Sequence, residues 1–136
     1  MPGLSPLSLA ATDDVRLQAS RAEGEGPGLL LAHGFGQTRQ AWLGTQRRLA
    51  QSGRASLAWD LRGHGQSERN PVDSRYSGEQ FVDDVSTAAR ALGPAPILVG
   101  ASMGGLTGLM AQARDRVFSA LVLVDITPRW EAAGVE

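Results

Sequence analysis

The chain has 136 residues, of which 42% are hydrophobic and 20% are charged, and its formal net charge is −1. These values are ordinary for one globular domain with a buried core. The weak net charge and the scattered basic residues exclude a surface built to follow nucleic acid. The absence of cysteine excludes disulfides, thiolate metal sites and a cysteine nucleophile.

The N-terminal segment and the apolar runs bear on localisation. Residues 1–6 have neither the basic start nor the sustained apolar segment of a signal peptide. No apolar run approaches the roughly 20 residues that a membrane span needs. We therefore expect a cytoplasmic protein without membrane or nucleic-acid partners. The sequence does not determine the oligomeric state.

The first 75 residues predict a hairpin and then alternating strands and helices. Apolar and polar residues alternate on both sides of Thr12–Asp14, which is typical of a β-hairpin. The segments that follow are predicted, in order, as a turn-rich connection (23–28), a buried strand (29–32), a helix capped by Thr38 and ending at Gly53, a strand (55–59) and a long polar loop (60–75).

The alternation continues in the second part of the chain. Ser77 and Gln80 have the spacing of a capping box. The elements predicted after them are a helix (81–92) that stops at Gly93, a strand (97–99), a helix (103–114) and a strand (120–124). Strands that alternate with helices form βαβ units. The fold class is therefore α/β, with a mostly parallel sheet and helices on both faces.

The alternation stops near the end of the sequence. Asp125–Pro128 closes a strand, and a helix is predicted to begin at Arg129. A parallel strand is normally followed by a helix that covers its face. We expect either that another chain covers this edge, or that residues 1–136 are the N-terminal portion of a single longer domain.

The sequence from Gly100 to Gly104 is the most specific motif. It has the form G-x-S-x-G around Ser102, follows an apolar strand and opens a helix, which is the setting of a nucleophile elbow. Such a turn places the serine at positive φ, and Gly100 and Gly104 relieve the crowding because they lack a Cβ. The alternative is a glycine-rich turn with an incidental serine.

A second motif, His33-Gly34-Phe35-Gly36, follows the strand at 29–32. The carboxyl ends of parallel strands meet at one edge of a sheet, so this loop is expected near Ser102. The backbone N–H groups of Phe35 and Met103 are the candidate oxyanion donors. For His33 we predict a structural role, in which its hydrogen bonds hold the loop beside Gly34.

A third motif runs from Asp60 to Ser67 and follows the strand at 55–59. We interpret it as a structural loop held by an ion pair between Asp60 and Arg62. His64 lies in this loop between two glycines, where a catalytic base and a metal ligand are the alternatives to a structural role. No second ligand occurs at a suitable spacing, so we predict no metal site.

Together with the strand Leu121–Val124 and Asp125, these three motifs resemble the α/β-hydrolase fold superfamily in order and spacing. The similarity is to esterase-like and non-haem perhydrolase-like members with a short H-G-x-G loop. It implies that Ser102 is the nucleophile, that Phe35 and Met103 are the oxyanion donors, and that no cofactor is needed. A serine at this position excludes the similar epoxide hydrolases and haloalkane dehalogenases, which use an aspartate there.

The resemblance also implies a triad in the order serine, acid, histidine. No histidine follows Ser102, so the base and the usual acid are expected beyond residue 136, with the last strands and a cap segment that begins near residue 129. Asp125 is an alternative acid, or else it starts a helix and shapes the floor of the site.

Three functions follow as hypotheses from these motifs. The first is a serine hydrolase that acts on an ester or similar small acyl substrate through an acyl-enzyme at Ser102. The second is a non-catalytic module of the same fold that binds a ligand or a partner. The third is a perhydrolase or a hydrolase of carbon–carbon bonds.

Overall fold

The computed structural model describes residues 3–72 and 74–126. Within them one sheet contains β1 (Ser5–Ala10), β2 (Arg16–Ala22), β3 (Glu25–Ala32), β4 (Arg54–Trp59), β5 (Ile97–Ala101) and β6 (Ala120–Val124). The helices are α1 (Leu43–Gln51), α2 (Gly78–Leu92) and α3 (Met103–Asp115). The strand order is β1-β2-β4-β3-β5-β6. Strands β3 to β6 are parallel, and β1 and β2 are antiparallel, which confirms the α/β prediction.

The N-terminal hairpin forms as predicted. Leu7 of β1 is paired with Ala19 of β2, and the side chain of Ala19 is fully buried. The hairpin turn contains Asp14, whose φ is 68° and whose N–H donates to the carbonyl of Ala11 over 2.9 Å. Aspartate tolerates this left-handed conformation better than most residues, so the turn lies where the polar residues interrupt the alternation.

Strand β3 begins at Glu25, four residues earlier than the sequence predicts. The turn-rich connection assigned to residues 23–28 is therefore wrong. Glu25 pairs with Arg54, and the register then shifts before Leu29, as in a β-bulge. A bulge accommodates glycine and proline inside a strand. At Gly28 the strand also passes close to α2, because a Cβ there would lie 2.7 Å from the side chain of Leu92.

Helices cover both faces of the sheet, as predicted. The side-chain amide of Gln46 in α1 donates to Ser56 Oγ of β4 over 3.1 Å, whereas Gly108 of α3 lies against Leu98 of β5. The β3 partners of Ser56 and Leu98 are the consecutive residues 29 and 30. Consecutive residues of a strand point to opposite faces, so α1 lies on one face and α3 on the other.

The helix starts follow from local capping. Thr38 accepts a hydrogen bond from the N–H of Gln40 over 3.3 Å and starts a 3₁₀ turn, Arg39–Trp42, which leads into α1. At α2 the predicted capping box is present, since Ser77 Oγ accepts from the N–H of Gln80 and Gln80 Oε1 accepts from the N–H of Ser77. The described helices include none that is long and apolar enough to cross a membrane.

The strand order places a crevice at the carboxyl ends of β3 and β5. The chain leaves β3 toward β4 on one side, and it leaves β5 toward β6 on the other side. The loop after β3 and the loop after β5 therefore start from neighbouring strands and run in opposite directions. In open α/β sheets ligands bind at such a point, and the motifs around His33 and Ser102 both lie there.

Candidate active site

Ser102 occupies a strained turn between β5 and α3. Its φ is 49° and its ψ is −118°, a conformation that costs on the order of 1–3 kcal/mol in a residue other than glycine. The N–H of Ser102 donates to the carbonyl of Val124 at the end of β6 over 3.2 Å. The residue itself is exposed. The turn thus holds a hydroxyl group at the surface of the crevice.

Glycines allow the strands and α3 to approach closely around this turn. A Cβ on Gly100 would lie 2.6 Å from the Cα of Gly105. A Cβ on Gly104 would lie 2.5 Å from the carbonyl oxygen of Ala32 in β3. Both distances are shorter than real Cβ contacts allow, and the opposing atoms belong to the backbone. Any side chain at either position would therefore displace the helix from the sheet.

The loop of residues 33–37, which follows β3, lies directly against the turn. A Cβ on Gly34 would be 3.3 Å from the Cβ of Ser102. Gly34 is also hydrogen-bonded to Gln37, since its N–H donates to Gln37 Oε1 and its carbonyl accepts from the N–H of Gln37, both over 3.1 Å. The loop is therefore a closed turn that packs on Ser102.

Two backbone N–H groups beside Ser102 have no acceptor within the part of the chain that the structure describes. The hydrogen bonds of the described residues leave the N–H of Phe35 without an acceptor, while the N–H of Gly36 donates to His64 Nε2 over 3.0 Å. Met103 is the first residue of α3, and the Ser102 side chain makes no capping hydrogen bond. The first N–H groups of a helix have no partner within it. The loop and the helix thus each present one donor, at Phe35 and at Met103.

His33 has both ring nitrogens engaged in hydrogen bonds inside the protein. It is fully buried; its Nδ1 lies 2.7 Å from the carbonyl oxygen of Gly34, and its Nε2 accepts from the N–H of Leu61 over 2.9 Å. A carbonyl can only accept, so the proton is on Nδ1. Burial lowers the pKa of His33, which keeps the ring neutral. The residue ties the ends of β3 and β4 together.

His64 is engaged in the same way. Its Nε2 accepts from the N–H of Gly36, and its Nδ1 lies 3.1 Å from the carbonyl oxygen of Arg62. Its ring centroid is 5.2 Å from that of His33 and 5.6 Å from that of Phe35, which it meets edge-on. Neither histidine has a nitrogen available to take a proton from Ser102.

The ion pair predicted between Asp60 and Arg62 is wrong. The Arg62 guanidinium, which is 1% exposed, is paired with Asp84 of α2 through two hydrogen bonds of 2.8 Å, and with Asp13 of the hairpin turn over 2.7 and 3.0 Å. Asp60 is paired with Arg39 instead. The chain bends after β4, so these two side chains point away from each other, Asp60 toward the 3₁₀ turn and Arg62 toward α2.

The position of Asp84 in the sequence could have indicated that it pairs with Arg62. Asp84 lies three residues after Phe81 on the apolar face of α2 and is 1% exposed, and a buried carboxylate needs a cation or hydrogen-bond donors. Burial raises the pKa of Asp84, and the Arg62 guanidinium opposes that change. The same guanidinium lowers the pKa of Asp13. The cluster anchors the loop that carries His64 to α2.

A cavity of about 540 Å³ opens beside the turn. Its walls are mainly apolar and include Phe35, Met103, Tyr76 and Phe81, and His64 lies along one side. The rings of Tyr76 and Phe81 are stacked with centroids 6.1 Å apart. The sequence motifs do not indicate Tyr76 and Phe81 as site residues, because nothing in the pattern of α2 or of the segment before it relates them to Ser102.

Asp125 lies at the end of β6, next to the residue that binds the N–H of Ser102. It is exposed and has φ 55°. The helix predicted from Arg129 and the cap predicted near residue 129 lie outside the described residues. Within residues 3–72 and 74–126, no group of three or more His, Asp or Glu side chains could hold a metal ion.

Comparison with known proteins agrees with this architecture. The family model described as alpha/beta hydrolase fold matches residues 27–134. An esterase of Mycobacterium tuberculosis is 38% identical over 115 residues, which are 82% of this chain and 37% of the esterase. Bifunctional epoxide hydrolase 2 of Sus scrofa is 34% identical over 84 residues, which are 61% of this chain and 15% of that protein.

A solved structure shares the fold. The crystal structure of an alpha/beta hydrolase from Novosphingobium aromaticivorans has a TM-score of 0.86 to this chain and 24% sequence identity, and the match covers 99% of this chain and 48% of that one. The chain therefore spans less than half the length of each of these three proteins. Because the family model matches most of the sequence, the chain belongs to the alpha/beta hydrolase fold family.

Proposed function

We propose that this protein is a serine hydrolase that cleaves a carboxylic ester or a similar acyl substrate. The observation that carries the proposal is the exposed Ser102 hydroxyl at a strained turn, beside the unengaged N–H groups of Phe35 and Met103. A carbonyl group next to Ser102 would have a nucleophile on one side and two donors for its oxygen.

The reaction proceeds in two steps. Ser102 Oγ attacks the carbonyl carbon, and the N–H groups of Phe35 and Met103 donate to the oxyanion that forms. The intermediate expels the alcohol and leaves the acyl group on Ser102; water then releases the acid and restores the hydroxyl. The attack needs a base for the Ser102 proton. Since His33 and His64 are both engaged elsewhere, the proposal assigns the base to a group outside the described residues.

The type of nucleophile supports an ester over an epoxide as substrate. The esterase and the epoxide hydrolase are both relatives of this chain. Members that open epoxides use an aspartate as nucleophile, whereas this chain has Ser102 at that position. The hydroxyl of Ser102 is suited to acyl transfer. It loses its proton when the oxygen attacks the carbonyl, and the departing alkoxide gains a proton to leave as the alcohol.

A fluorophosphonate probe tests the proposal on the full-length protein. We expect one covalent adduct, located by mass spectrometry in the tryptic peptide 91–114, in which Ser102 is the only serine. Ser102→Ala removes the adduct, and Ser119→Ala, which alters an exposed serine before β6, keeps it. No adduct, or an adduct that survives Ser102→Ala, contradicts the proposal. Ligand binding without any adduct would favour a non-catalytic binding module instead.

We further propose that the apolar part of the substrate occupies the cavity beside Ser102. Each buried methylene contributes about 0.8 kcal/mol, so kcat/KM for p-nitrophenyl esters rises by at least about tenfold from acetate to hexanoate. Tyr76→Ala enlarges the cavity and moves the preference to longer chains. Val72→Ala, at a side chain that is 91% exposed, leaves the chain-length profile unchanged. Identical profiles for Tyr76→Ala and the unmodified protein would place the substrate elsewhere.

A further inference from the structure

Three backbone N–H groups of the loop 33–37 are engaged in hydrogen bonds. Gly34 donates to Gln37 Oε1, Gln37 donates to the carbonyl of Gly34, and Gly36 donates to His64 Nε2. The acceptors for two of these bonds are turn atoms of the loop itself. His64 alone comes from a different part of the chain, 28 residues away. The orientation of the peptide after Phe35 therefore depends on a side chain of the loop after β4.

His64 is itself held in a fixed place. Its Nδ1–H donates to the carbonyl of Arg62, and the Arg62 side chain is buried in its pairing with Asp84 and Asp13. The His64 ring also contacts the rings of His33 and Phe35. A chain of contacts thus runs from α2 through Arg62 and His64 to the loop beside Ser102.

We infer that His64 is the positioning residue of the oxyanion site. By accepting the N–H of Gly36, it fixes the turn so that the N–H of Phe35, and no other in the loop, faces the substrate carbonyl. The kinetic part of this inference rests on the proposed function. The structural part, that His64 holds the loop through Nε2, can be measured without any activity.

The arrangement requires neutral His64 with its proton on Nδ1. A second proton on Nε2 would point at the N–H of Gly36, and two donors repel each other. The Nδ1–H tautomer of His64 is therefore the form that can hold Gly36.

The structural test uses the ¹⁵N-labelled full-length protein. Long-range ¹H–¹⁵N spectra report which ring nitrogen carries the proton, and we expect the Nδ1–H form of His64 at neutral pH. We also expect the Gly36 amide to exchange with solvent at least about tenfold faster in His64→Phe, which keeps a ring but removes the acceptor. An Nε2–H form, or equal exchange in both proteins, overturns the inference.

The kinetic test compares His64→Phe with His64→Gln, whose Oε1 can also accept from the N–H of Gly36. His64→Phe lowers kcat by about tenfold to a hundredfold with little change in KM, because oxyanion bonds act mainly in the transition state. His64→Gln keeps most of kcat.

The two proposals fail in different ways. If the probe labels Ser102 and His64→Phe has an unchanged kcat, the inference about His64 is wrong and the proposed function stands. If no adduct forms, the proposed function is wrong, and the spectra and amide exchange still decide whether His64 holds the loop. If His64→Phe does not fold, the position of the ring proton in the unmodified protein decides alone.

Discussion

Arg62→Met lowers the free energy of unfolding by about 3–5 kcal/mol, because it leaves a carboxylate buried without its cation. The Arg62 guanidinium donates hydrogen bonds to Asp84, Asp13 and Asn70. The side chain of Asp84 is only 2% exposed, so water cannot replace the lost partner. A loss of this size is a large share of the roughly 5–15 kcal/mol that stabilises a domain.

Urea unfolding of the full-length protein measures this effect, and Arg114→Met is the matched control. Arg114 is also an arginine with two carboxylate partners, Asp83 and Asp115, but its side chain is 40% exposed. Exposed pairs contribute up to about 1 kcal/mol. The double variant Arg62→Met with Asp84→Leu is expected to recover most of the loss, since it removes both buried charges and leaves only Asp13, whose side chain is 41% exposed and accessible to water. Equal effects of Arg62→Met and Arg114→Met would show that burial of the pair does not matter.

Gly104→Ala destabilises the protein by about 1–3 kcal/mol or more, although alanine is the better helix former. In an exposed helix this change would stabilise by about 1 kcal/mol. Here the new Cβ would lie 2.5 Å from the carbonyl oxygen of Ala32 and 2.6 Å from that of His33. Both are backbone atoms, so α3 has to move away from β3, and Ser102 moves with it.

Gly44→Ala is the control for this prediction. Gly44 is a residue of α1, and a Cβ there would meet nothing within 4 Å. We expect Gly44→Ala to raise the midpoint of thermal unfolding and Gly104→Ala to lower it, with loss of probe labelling only in the second. The prediction fails if the two alanine variants shift the midpoint in the same direction.

The elements that the sequence predicted well are those whose signal is local. The alternation around the hairpin, the capping box at Ser77 and the G-x-S-x-G turn each depend on residues within a few positions of one another. In the G-x-S-x-G motif the two glycines lack a Cβ and so relieve the crowding around a serine at positive φ. Ser102 has the positive φ that this motif predicts.

The errors concern contacts between distant segments. Asp60 and Arg62 are close in sequence, and their nearness suggested a pair, but Arg62 finds its partners 22 and 49 residues away. The cavity likewise combines Phe35 with Tyr76, from separate loops that only the folded sheet brings together. Strand β3 shows a third case, since its bulge depends on pairing with Arg54. Local patterns do not contain this information.

The close approach at Gly100 and Gly104 divides the site into two parts that respond differently to mutation. At these glycines the Cβ of any other residue collides with backbone atoms, so even the smallest substitution there displaces the turn. The cavity wall differs, because side chains such as Tyr76 can change in size without moving the turn. Under the proposed function, the preference between substrates can therefore change through residues of the cavity wall, while the turn that carries Ser102 stays in place.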